Sequence, residues 1–101
     1  MGNYLCVHKM LDVSTLHLKV STLNWLRDEA ESEEPGSFIA YAKFGYGFFI
    51  PIIEERDLPE DTPNDLKTLL NFADEVGCHW IMIDRDGYVI NQLPKLYDEE
   101  V

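Results

Sequence analysis

Positive charge is scarce in this chain. Its 101 residues hold eight Lys and Arg against nineteen Asp and Glu, a formal net charge of −11 at pH 7. That balance excludes the basic stripe on which nucleic-acid binding rests and the polybasic patch that anionic membranes attract. Cysteine is scarce too. Cys6 and Cys78 are too few for a disulfide framework, and a reducing (host) cytoplasm is the expected compartment. No apolar run approaches the length of a membrane span, and Met1-Gly2-Asn3-Tyr4 lacks the basic start of a signal peptide. Myristoylation after Met-Gly requires Ser or Thr at position six, where Cys6 stands. Repeats and low-complexity tracts are absent as well.

What is present suffices for a core. Hydrophobic residues make up 46 % of the chain, which predicts one folded domain over residues 1–101. Residues 4–8 (YLCVH) and 13–18 (VSTLHL) read as short strands with a bend at Leu11-Asp12. Ser21 reads as an N-cap, with Val20 stapled against Trp25, for a helix over residues 22–31 whose stripe is Leu23, Leu26 and Ala30. Residues 37–43 (SFIAYAK) and 47–53 (GFFIPII) flank Phe44-Gly45-Tyr46 as a hairpin, in which Pro51 predicts an edge strand or a bulge. Thr62-Pro63-Asn64-Asp65 reads as the start of a second helix, with Leu66, Leu69, Leu70, Ala73 and Val76 on one face and Gly77 as its stop. Residues 78–84 (CHWIMID) form a further strand. Arg85-Asp86-Gly87 turns it towards a return strand at residues 88–91. The predicted order is β(β)-α-β-β-α-β-β. The predicted class is α+β: a small antiparallel or mixed sheet with both helices packed on one face.

Catalytic and metal chemistry find little to stand on. Cys6 and His8 share a strand face, but no C-x-x-C or H-x-x-x-H spacing occurs, and Cys6 and Cys78 read as core thiols, so no metal and no cofactor is expected. If Gly87 took the glycine position of a calcium loop, Met82 would have to be the first ligand. Neither a nucleophile elbow, a phosphate loop nor a dinucleotide fingerprint is present. His17 and His79 read as core or rim histidines, and no enzyme is expected. A pocket that gathered His17, His79 or Tyr88 with a carboxylate would argue otherwise.

The acids are clustered. Asp28, Glu29, Glu31, Glu33 and Glu34 crowd the end of the first helix. Glu54, Glu55, Asp57, Glu60 and Asp61 crowd the loop before the second, and Asp98, Glu99 and Glu100 close the chain. Carboxylates three or four residues apart on a helix lie about 5–6 Å from one another, near enough to the phosphate repeat to imitate a nucleic-acid backbone. The same carboxylates also read as a solvated face that keeps the protein soluble. Phe44 and Tyr46 at the hairpin tip offer aromatic anchors for a protein interface, or else fold back onto the acidic loop.

Ser14-Thr15-Leu16-His17, the hairpin Phe44-Gly45-Tyr46-Gly47-Phe48-Phe49, and Gly77-Cys78-His79-Trp80 running into Asp84-Arg85-Asp86-Gly87 and Leu93-Pro94 together resemble a family of short uncharacterised acidic proteins carried on phages, plasmids and genomic islands. The helix–Gly77–Cys78–strand step is also locally similar to the barstar family of acidic inhibitors. The first resemblance implies a habitat on mobile DNA, where small acidic proteins blunt host defences, and it brings no catalytic residues. The expected function is therefore a non-enzymatic inhibitor or decoy of anti-CRISPR or anti-restriction type. It would occupy the basic nucleic-acid-binding surface of an effector through the acids at 28–34 and 54–61, with Phe44 and Tyr46 as anchors. It would bind neither nucleic acid nor membrane directly. The alternative is an immunity protein or antitoxin that caps a basic toxin or nuclease.

Overall fold

Trp80-Ile81-Met82-Ile83-Asp84 is the strand around which the rest is arranged. In the computed structural model, which describes residues 5–34, 37–44 and 47–97, four strands and two helices follow the order β1 (Met10–Ser14), α1 (Val20–Glu31), β2 (Tyr41–Lys43), β3 (Gly47–Pro51), α2 (Asn64–Glu75) and β4 (Trp80–Asp84). The sheet order is β1-β4-β3-β2. β1 runs parallel to β4, and the other two pairings are antiparallel, so the sheet is mixed. This is the expected α+β class.

The pairing register sorts the side chains into two faces. Leu11 and Val13 lie beside Ile81 and Ile83, which face Ile50 and Phe48 in turn. On this face, Val13, Phe48, Ile50, Ile81 and Ile83 join Leu26 of α1 and Leu66, Leu69, Leu70 and Ala73 of α2 in one buried cluster. Both helices therefore cover the same side of the sheet. Asp65 locks them together at their N-terminal ends: its carboxylate accepts from Thr22 Oγ1 at 2.7 and 2.8 Å and from the Lys19 backbone N–H at 2.9 Å. Gly47 is obligatory for β3 to lie against β4, because a Cβ there would fall 1.7 Å from the Ile83 carbonyl oxygen.

Several sequence expectations are corrected. A single strand, Met10–Ser14, replaces the two expected at residues 4–8 and 13–18. Just before Met10 the chain passes the end of β4, where the Lys9 carbonyl accepts from the His79 and Trp80 N–H groups and the Lys9 N–H donates to His79 Nδ1. After it, Ser14 Oγ accepts from Leu16 N–H at 3.1 Å and turns the chain into a 3₁₀ turn, Thr15–His17. Residues 88–91 form no strand, because both sides of β4 are already taken by β1 and β3. β3 is a central strand rather than an edge, and Pro51 is tolerated because β2 ends its pairing opposite Phe49. α1 starts at Val20 with Lys19, not Ser21, as cap residue, and the Lys19 N–H donates to the Asp65 carboxylate of α2. In α2 the expected stripe is buried except for Val76, which follows the last helical residue and is exposed. Gly77 has φ +85 as a helix stop should. Cys6 is exposed rather than a core thiol, and Cys78 is half-buried.

The segment after β4 is held by His17 in place of a return strand. His17 is buried; its Nε2 accepts from Ile90 N–H at 2.9 Å, and its Nδ1 donates to the Pro94 carbonyl at 2.8 Å. Backbone bonds from Leu96 and Tyr97 to the Leu16 carbonyl add to this attachment. His17→Ala leaves the Ile90 N–H without a partner and opens a cavity. An expected loss of about 2–4 kcal/mol should appear in urea unfolding, with early amide exchange at residues 90–97.

At the tip end of the sheet, Lys43 Nζ pairs with Asp84 Oδ2. The Asp84 carboxyl is held below the usual carboxylate range, first by the hydrogen bond from Lys43 and next by the Asp86 backbone N–H. A carboxylate with a lowered folded value stabilises the fold above its unfolded value, and that contribution is lost as pH falls through the folded one. The stability gap between the native chain and Asp84→Asn should therefore be full at neutral pH and shrink below about pH 4. Paired urea titrations at pH 7 and in acid would check it, and a gap that persists unchanged in acid would refute it.

Candidate interaction surface

The acids at the end of α1 sit where the helix dipole opposes them: no basic residue occupies the last turn. Asp28, Glu31, Glu33 and Glu34 are exposed. Glu29 is half-buried, and its Oε1 accepts from Phe38 N–H at 2.8 Å, so one of the five is also structural. Among the loop acids, Glu54 pairs with Arg56 at 2.8 Å, while Glu55, Asp57, Glu60 and Asp61 are exposed.

Trp25 links the two clusters. Its indole N–H donates to Asp61 Oδ2 at 3.1 Å, and its ring packs edge-on against Phe38 with centroids 5.4 Å apart. Phe38 in turn donates to Glu29. Asp28 and Glu29 are three and four residues beyond Trp25, one helical turn along the same surface. Asp61 of the second cluster is thus tied to the helix that carries the first, whereas Glu54 and Glu55 line a groove beside α2. No periodicity in the sequence signals this junction.

The hairpin adjoins α1. Arg27 and Glu31 of α1 line a cleft of about 150 Å³ with Ala42, Gly47 and Phe48 of the hairpin arms. Phe44 follows β2 with φ 50 and is 96 % exposed. Of the two expectations for the tip, exposure is the one found for Phe44. Tyr46 and the terminal acids Asp98, Glu99 and Glu100 lie outside the described residues.

Two further features went unnoticed in the sequence. The second face of the sheet carries Met10, Trp80, Met82, Phe49, Pro51 and Tyr41, none of which belongs to the buried cluster. Tyr41 is 56 % exposed and leans towards Trp80, with ring centroids 6.2 Å apart. The signal was there: Trp80 and Met82 alternate with Ile81 and Ile83, so this strand is apolar on both faces.

Trp80 also lines a groove of about 500 Å³ between α2 and the chain after β3. His8 and His79 stand edge-to-face there at 5.2 Å, with Glu54, Glu55 and Asp74 on the walls. His79 Nδ1 accepts from Lys9 N–H at 3.0 Å, so that nitrogen carries no proton. Among the described residues no carboxylate bonds to either imidazole, and no three His, Cys, Asp or Glu side chains are placed to share a metal ion.

Residues 10–98 match the C-terminal domain of DUF5983, a family of unknown function. The chain belongs to that family. The match takes in all four strands, both helices and both described acidic clusters, whereas His8 of the groove precedes it. No curated protein and no solved structure matches the chain. Membership of an uncharacterised family agrees with the resemblance drawn from the sequence. Among the described residues no helix is long and apolar enough to cross a membrane.

Proposed function

We propose that this protein is a non-enzymatic inhibitor of anti-CRISPR or anti-restriction type, carried on mobile DNA. It docks its acidic face on the basic nucleic-acid-binding surface of a host effector in the cytoplasm and blocks it by occupancy. The observation that supports this reading is the Asp61–Trp25–Phe38–Glu29 chain of contacts, which holds Asp61 of the loop cluster against the helix that carries the first cluster. Carboxylates on a rigid helix and an anchored loop steer a basic partner and hold register with it. Phe44, exposed after the β2 arm that faces Glu31 across a cleft, adds an apolar anchor.

An enzyme is the reading that the groove favours, since it gathers His79 with carboxylates. General acid–base work needs an imidazole oriented by an acceptor or a carboxylate. His79 spends Nδ1 on a backbone N–H instead, and that weighs for binding over catalysis.

Affinity capture from host lysate at low salt, repeated at high salt, tests the proposal. The expected captive is a nucleic-acid-processing protein that is released by salt and whose own nucleic-acid binding is lost in a gel shift when this protein is added. A toxin or nuclease neutralised by this chain would favour the immunity alternative. The purified protein by itself is expected not to bind duplex DNA or RNA at any ordinary salt, and micromolar binding to bare duplex would sink the decoy reading.

A further inference from the structure

We propose that the open sheet face and the groove that shares Trp80 with it form a docking site for a protein segment carrying an arginine or lysine next to an apolar residue. The site shares Glu54 and Glu55 with the loop acids but takes none of the acids of α1, and it does not depend on the inhibitor reading. Tyr41, Phe49, Trp80 and Met82 form a platform of aromatic and thioether side chains left outside the buried cluster. Such residues make up the cores of protein interfaces.

Charge decides what the platform takes. The groove that adjoins it is walled by Glu54, Glu55 and Asp74, and no lysine or arginine lines it. Glu54 is engaged by Arg56, but the carboxylates of Glu55 and Asp74 make no hydrogen bond or ion pair among the described residues. Ile52, Leu70 and Trp80 supply apolar surface between them. A long basic side chain matches this combination: its methylene stem lies on the aliphatic floor, its charged head meets the carboxylates, and the indole offers a cation–π face. A groove of about 500 Å³ has room for one such side chain. The neighbouring platform receives the apolar residue beside it. A second copy of the chain is a poor occupant, because each copy carries a net charge of −11.

The test is an NMR titration of the whole protein with acetyl-leucyl-arginine amide, run beside its uncharged isostere acetyl-leucyl-citrulline amide. The arginine probe should shift the Trp80 indole N–H and the His79 ring signals saturably, with a Kd at least about ten-fold below that of the citrulline probe. Asp74→Asn combined with Glu55→Gln, both exposed positions, should weaken the arginine probe by about ten-fold while leaving the melting curve in place. Replacing Asp28, Glu31, Glu33 and Glu34 by their amides should leave probe binding unchanged, which separates this site from the first acid cluster of the inhibitor reading. Equal affinity for the two probes would overturn the proposal. So would shifts centred on residues 28–34, the absence of any saturable response, or a dimer in sedimentation that buries Trp80.

Discussion

Leu69→Asp is expected to leave no folded domain. Leu69 lies on the inner face of α2, 2 % exposed, within the same cluster as Leu26, Ile81 and Ile83. An aspartate there has no cation within the core to pair with. It must therefore stay charged and unsolvated, become protonated, or pull the helix away from the sheet. Each outcome costs about 4 kcal/mol or more, a large part of what a domain of this size has to lose. Circular dichroism and amide proton dispersion should report an unfolded or molten chain at 25 °C. Leu69→Met, which conserves volume and polarity, should lose less than about 1.5 kcal/mol and serves as the control. A soluble Leu69→Asp variant with an unchanged melting curve would show that α2 is not packed on the sheet.

The second large effect concerns the acids. Converting Asp28, Glu29, Glu31, Glu33 and Glu34 to Asn or Gln is expected to weaken binding to the captured effector by about five-fold to several-thousand-fold. The range follows from five partly screened contacts at about 0.2–1 kcal/mol each. The association rate should fall with it, and most of the salt dependence should disappear. Stability should hold or rise slightly, since removing negative charge from the C-terminal end of α1 relieves its conflict with the helix dipole. Gln at position 29 keeps an oxygen to accept from Phe38 N–H, so the fold does not depend on that charge. The amides of Glu54, Glu55, Asp57, Glu60 and Asp61 should have an intermediate effect, and those of Asp98, Glu99 and Glu100 the smallest. Neutralising all three clusters without a change in binding would reduce the charge to a solubility device, and Phe44 would then be the next position to test.

Reading by periodicity succeeded where an element is defined by its own residues. α2 announces itself through Leu66, Leu69, Leu70 and Ala73 at helical spacing and through Gly77 at its end. The β2–β3 hairpin announces itself through two apolar, aromatic-bearing arms on either side of Phe44-Gly45-Tyr46 in the sequence. Local propensity failed where several partners compete for one strand. Residues 88–91 read well as a return strand, yet β1 and β3 already occupy both edges of β4, so this segment is held by His17 from 73 residues away. Pro51 pointed to an edge strand; β3 is central, and only the short length of β2 leaves the proline without a neighbour to disappoint.

The site divides along the same line. Composition and charge spacing by themselves determined that the protein is acidic, where its carboxylates cluster, and that it builds an α+β core from two amphipathic helices, because these are properties of adjacent residues. Only the tertiary structure decided that Trp25 ties Asp61 to the helix of the first cluster, that Trp80 and Met82 lie on the uncovered side of the sheet, and that His8, His79, Glu55 and Asp74 share a groove. Those arrangements depend on which strands pair and in what register. Register is set by the summed burial of the whole inner face, a quantity that no short stretch of the chain contains.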